Sequence, residues 1–298
     1  MTEHIESSTI APDDYDANTE NGYSSTPNLY TLSSTSDTET FLTRFTRENG
    51  YKDSTTGTTL KLGDQIKIQD GTYNVNWYVA GFDVEKTRTA TDGTLYDNGY
   101  GIALIPVTTL TSSVYDIIGS WLNATESGNY FDSKLYPTVV TNLQTVLGNH
   151  LTTRSVLLFS STNALSTADN YYRYPTGYTW YSDKYVTSLS AKQVLSNPTI
   201  SETSSDISMD NDIISYYDIG EANYKLPLFD NIGCYNNYFW YIRSMRTYTN
   251  YDKDDGYEQY YKCASPNSTS DGYTYASYRR ASSSVTHYTY CRPLIYIR

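Results

Sequence analysis

The sequence predicts an α+β protein in which short antiparallel strands dominate and two or three helices pack against them. Apolar and polar residues alternate from Ile66 to Val79, the period of a half-buried strand. Two later segments carry apolar residues at helical spacing. Tyrosine is in large excess, with 34 Tyr against 7 Phe and 4 Trp, and it suits half-exposed strands. A surplus beyond what a core needs supplies rigid contact area with a hydrogen-bonding tip, the composition of a recognition surface.

Residues 1–55 are rich in Ser, Thr, Asp and Asn, with isolated apolar residues and one patch at Phe41, Leu42 and Phe45. Such a stretch buries too little surface to offset its ordering entropy. It is expected to be an extended N-terminal assembly arm laid against neighbouring subunits, with Asp37–Thr40 as solvated charge. From Leu60 the texture changes. Ile66 and Ile68, then Tyr73, Val75, Trp77 and Val79, form two strands around the Asp70-Gly71 turn signal. Ile102 to Val107 gives a further strand.

Val114, Ile117, Ile118, Trp121 and Leu122 share one helical face, and Val139, Leu143, Val146 and Leu147 share another, ended by Gly148. Val156 to Phe159 reads as a buried strand. Ser190 and Gln193 have capping-box spacing, with Leu189 and Val194 as a hydrophobic staple. Residues 198–212 are acidic and aperiodic, hence a surface loop. Short aromatic strands follow, with turn signals at Asp255-Gly256 and Asp271-Gly272, and Leu294, Ile295 and Ile297 form a terminal strand after Pro293. Residues 56–298 are expected to form one domain.

A net charge of -12 and a pI near 4.6 oppose approach to a phosphate backbone, so nucleic acid is not an expected partner. No apolar run reaches the roughly 18 to 20 residues that span a bilayer, and "MTEHIESSTIAPDD" is not a secretory leader; neither membrane insertion nor ordinary secretion is expected. Three cysteines, Cys234, Cys263 and Cys291, are an odd number and point to a reducing site of assembly. His4, His150 and His287 have no metal-site spacing. Asp252, Asp254, Asp255 and Glu258 around Gly256 read as an acidic turn rather than a calcium loop. No catalytic residue, metal or cofactor is expected.

The stretches "GDQIKIQDGTYNVNWYVAGFD", "DNGYGIALIP", "VLGNHLTTRSVLL", "YDIGEANYKLPLF", "YFWYIRS" and "CRPLIYIR" together resemble a family of proteins common in phages and prophages of gut bacteria. The ending is similar to the C-type-lectin-like fold shared by phage tropism determinants and formylglycine-generating enzymes. The resemblance implies small twisted antiparallel sheets and two or three helices supporting long aromatic loops. It makes Trp240, Arg243, Arg292 and Pro293 structural landmarks, with Trp240 in the core and the last strand pairing near it. It places the display positions between those landmarks, in residues 234–298: Tyr235, Tyr238, Tyr248, Tyr251, Tyr257, Tyr260, Tyr261, Tyr273, Tyr275, Tyr278, Arg279, Arg280 and Tyr288. The cysteine chemistry of the formylglycine enzymes is not carried over, since no cysteine pair is close in sequence.

The expected function is that of a non-enzymatic phage virion structural protein, assembled in the bacterial cytoplasm. It would bind other virion proteins through its arm, form a homo-oligomer, and present a tyrosine-rich face to a host-surface glycan or protein. The alternative is a capsid decoration, head-fibre or tail component whose aromatic face makes only virion contacts.

Overall fold

The computed structural model describes residues 14–71, 73–89, 95–108, 136–159, 178–189, 193, 226–232, 240–247, 259–265, 275–280 and 290–298. They form an α+β structure built mainly on antiparallel sheet. Its centre is a six-stranded sheet of β1 (Leu29–Leu32), β2 (Gln65–Asp70), β3 (Tyr73–Phe82), β6 (Ile102–Pro106), β14 (Pro293–Ile297) and β9 (Thr187–Ser188), in that spatial order. Every neighbouring pair is antiparallel except β1 with β2. The remaining strands are β4 (Thr87–Thr89) with β5 (Leu95–Asp97), β7 (Arg154–Phe159) with β8 (Tyr178–Lys184), and the second sheet described below.

Alternation divides the apolar residues of the central sheet between two cores. Ile66, Ile68, Val75, Trp77, Val79, Ile102, Leu104, Ile295 and Ile297 pack under α2 (Thr35–Arg44) and α3 (Tyr136–Leu147). Ala103, Ile105, Leu294 and Tyr296 face the other way, against Leu189, Leu226, Leu228 and Phe229. A fully buried aliphatic side chain of this kind stabilises by about 1.5–3 kcal/mol relative to exposure. The register of β3 against β6 slips between Val79 and Gly81. That bulge puts Ala80 in the second core and returns Phe82 to the first, which strict period-two alternation would forbid.

The hairpin at Asp70-Gly71, the helix over Val139–Leu147 and the strands from Ile102, Val156 and Leu294 lie where the sequence puts them. α3 gives way to a 3-10 turn at Gly148–His150, and Gly148 takes φ +55, which suits a residue without Cβ. The helix expected around Val114–Leu122, the loop 198–212 and both later turn signals lie outside the described residues, as does Ser190.

The expectation for residues 1–55 is corrected over residues 14–55, which are built into the core. Ala17, Leu32, Phe41, Phe45 and Tyr51 are all buried in the first cluster, and β1 extends the central sheet by parallel pairing, Leu29↔Gln65 through Leu32↔Ile68. Two devices compensate for the low apolar content. The first is capping: the Ser34 hydroxyl accepts from Asp37 N at 3.2 Å, while the Asp37 carboxylate accepts from Ser33 N and Oγ at 3.0 and 2.6 Å. Asp37 is therefore a capping residue, its carboxyl held below the usual range by these Ser33 and Ser34 hydrogen bonds. The second is satisfied polarity. Asn18 exchanges two hydrogen bonds with the Phe82 backbone at 2.7 and 2.8 Å. Asn21 donates to Gly50 O and Leu60 O, and Thr38 donates to Val146 O at the end of α3.

Candidate functional site

The second sheet brings the tyrosine-rich C-terminal strands together, in the order β12 (Tyr275–Arg280), β11 (Gln259–Ser265), β10 (Trp240–Thr247), β13 (Tyr290–Cys291). Consecutive Cα partners form rows across it. Arg280 pairs with Tyr260, which pairs with Arg246; Arg279 pairs with Tyr261, which pairs with Met245; Tyr278 pairs with Lys262. Tyr275 closes the far end of β12 opposite Ser265. The register of β10 is irregular between Tyr241 and Met245, the stretch that contains Arg243. Tyr260, Tyr261, Tyr275, Tyr278, Arg279 and Arg280 thus share one sheet, whereas Tyr235, Tyr238, Tyr248, Tyr251, Tyr257, Tyr273 and Tyr288 lie outside the described residues.

Trp240 pairs with Tyr290 on β13, and two residues later the chain enters β14 of the central sheet. The crossing is made at Arg292, which is 1 % exposed; its Nε donates to Pro106 O at 3.1 Å and its guanidinium lies 5.8 Å from the Phe229 ring centre. Arg292 therefore ties the crossing to the end of β6, and Pro293 opens β14 opposite Ser188. The display sheet hangs directly from a strand buried on both faces.

Tyr241 pairs with Cys263 on one side and Cys291 on the other. Two strand spacings separate those cysteines, about 9–10 Å, beyond the roughly 7 Å over which Cα atoms can be bridged. The register excludes a Cys263–Cys291 disulfide.

A second polar centre sits at the turn after β3. Asp83 and Glu85 both adopt left-handed backbone, φ +53 and +56, as does Tyr51 at +56. Non-glycine residues persist there only when their surroundings hold them. Asp83 accepts from the Tyr51 hydroxyl and from Gly101 N, and pairs with Arg47 Nε at 2.9 Å. Burial, reinforced by the Asp83 charge, pushes the Tyr51 phenol far up, so it stays a donor. Glu85 is 5 % exposed and accepts from Gln193 Nε2 and the Tyr296 hydroxyl, each at 2.6 Å. Arg154, buried beside it, donates from Nη1 to Asn98 O and Gly99 O and stacks 4.1 Å from the Tyr296 ring centre. Each carboxylate oxygen is occupied by a protein donor, so the pair acts as a strut locking the turn to β14 and not as an acid and base.

Among the described residues no group of three or more His, Cys, Asp or Glu could hold a metal ion, and no helix is long and apolar enough to cross a membrane. Sequence reasoning passed over Arg246 and Lys262, which the register sets beside Tyr260 and Tyr278. The signal for both was present: they are basic residues at strand positions between aromatics. No protein-family model, curated protein or solved structure matches this chain.

Proposed function

We propose that the chain is a non-enzymatic bacteriophage virion protein whose C-terminal sheet is a recognition face for a host-surface glycan or protein. The observation that carries it is the register of that sheet, which gathers Tyr260, Tyr261, Tyr275, Tyr278, Arg279 and Arg280 into one antiparallel surface. Tyr and Arg dominate binding hot spots because they bury large rigid area and hydrogen-bond at the tip. The direct run of β13 into β14 supports the comparison with C-type-lectin-like domains, in which the motif tryptophan lies beside the last strand; here Trp240 pairs with Tyr290. Homo-oligomeric display on the particle would turn weak single contacts into avidity. Residues 14–55 belong to the core and so are not the particle contact as a free arm.

The test is binding of the full-length chain, multimerised on streptavidin, to intact gut bacterial isolates by flow cytometry. The parent is expected to bind a subset of isolates, and a folded variant with Tyr260, Tyr275 and Tyr278 changed to Ala is expected to lose that binding. Equal binding by the variant would remove the face from the account; no binding to any isolate would favour a component whose aromatic sheet contacts only other virion proteins.

A further inference from the structure

The four strands of the display sheet carry Arg243, Arg246, Lys262, Arg279 and Arg280 and no Asp or Glu, in a chain whose net charge is -12. Chance placement does not account well for this, since acidic residues outnumber basic ones 33 to 21 overall. The register sharpens it. Residues two apart on a strand share a face, so Arg246, Tyr260 and Arg280 form one row and Lys262 with Tyr278 fall on that same face one step along. Arg279, paired with Tyr261, is of the opposite parity. Three cations thus alternate with two tyrosines on one face, at strand spacings of about 4.8 Å.

We propose, resting on the recognition reading above, that the row Arg246–Tyr260–Arg280 with the adjoining pair Lys262–Tyr278 is the seat of an acidic polysaccharide, one whose sugars carry carboxylate or phosphate groups. Tyrosine rings suit the flat faces of sugars, and interleaved Arg and Lys suit charges repeated along a polymer. The acidic remainder of the chain repels extended polyanions at long range, which selects a chain of sparse charge over a nucleic acid.

The experiment measures the full-length chain by biolayer interferometry on carboxymethyl-dextran, plain dextran and oligothymidylate, beside the cell-binding assay. Carboxymethyl-dextran is expected to bind and plain dextran not. With three cations engaged, affinity should fall about tenfold to twentyfold between 50 and 200 mM salt, by the slope known for flexible polyanions. The triple variant Arg246→Gln, Lys262→Gln, Arg280→Gln should lose at least about tenfold on the same basis, while Arg279→Gln stays near the parent. If the triple variant does not keep the parent's melting temperature, the salt titration of the parent decides. Equal binding to plain dextran, the absence of a salt effect, or stronger binding to oligothymidylate would each overturn the assignment. Binding to cells without binding to carboxymethyl-dextran would leave the recognition reading standing and overturn the acidic class; binding to neither would overturn both.

Discussion

Changing Phe45 to Ala tests whether residues 14–55 are core or arm. Phe45 is 1 % exposed, its ring 5.3 Å from that of Tyr30 and 5.0 Å from that of Phe41, with the Arg44 guanidinium 5.4 Å from its centre. Truncation removes the transfer free energy of a buried aromatic ring and leaves a cavity between two helices and the sheet, about 3–5 kcal/mol together. The aromatic pairs fall within that range, at about 0.5–1.5 kcal/mol beyond area alone. At about 2–4 °C per kcal/mol for chains of a couple of hundred residues, the melting temperature should drop by roughly 10 °C. Scanning calorimetry reads this directly, with urea unfolding as a check that the slope is unchanged. A loss under about 1 kcal/mol, the size expected of a surface change, would refute the placement of α2 in the core.

Three further outcomes follow from named contacts. A Cβ on Gly101 would lie 2.7 Å from Arg154 Nη2 and 3.0 Å from Ile297 O, so Gly101→Ala should cost about 1–3 kcal/mol by overpacking, measured by urea unfolding; a neutral effect would mean that the Arg154 packing is not as described. Hydrogen bonds from Thr56 and Thr55 N, then Arg44, hold the Asp53 carboxyl down at about 2. Its contribution is complete above the ordinary value near 3.8 and is lost as pH falls through about 2, so over that window the parent's melting temperature should fall faster than that of Asp53→Asn; parallel curves would contradict it. Cys263 and Cys291 should both alkylate without prior reduction after denaturation, and a Cys263–Cys291 cross-linked peptide by mass spectrometry would contradict the sheet register.

Much of the central sheet was legible because its signals are local. Ile66, Ile68, Val75, Trp77 and Val79 alternate as a buried strand face must, Asp70-Gly71 supplies the turn, and Val139 to Leu147 repeat at helical period. The first 55 residues misled because apolar content was taken as the measure of burial. Their order depends on Thr38, Asn18 and Asn21, polar residues whose hydrogen bonds are made over sequence distances of 29 to 108 residues. One signal could have corrected this: Ser34 and Asp37 have capping-box spacing ahead of Thr38, Phe41 and Phe45, a single helical stripe. The candidate face was half legible. Composition pointed to the tyrosines, but the rows that join Arg246 to Tyr260 and Lys262 to Tyr278 depend on strand register across long connections, which no local pattern encodes. The Asp83 and Glu85 struts were invisible for a similar reason, since their partners Tyr51, Gln193 and Tyr296 come from distant parts of the chain.

The central claim is that recognition resides on the C-terminal sheet, mounted on a core that includes the N-terminal helices. Hydrogen exchange followed by mass spectrometry on the full-length chain, alone and with surface glycan extracted from an isolate that the chain binds, tests it most directly. The account predicts new protection confined to 240–247, 259–265 and 275–280, with 65–82 and 293–297 equally slow in both states. Protection on α2 or along β1 with the C-terminal sheet unchanged would contradict it.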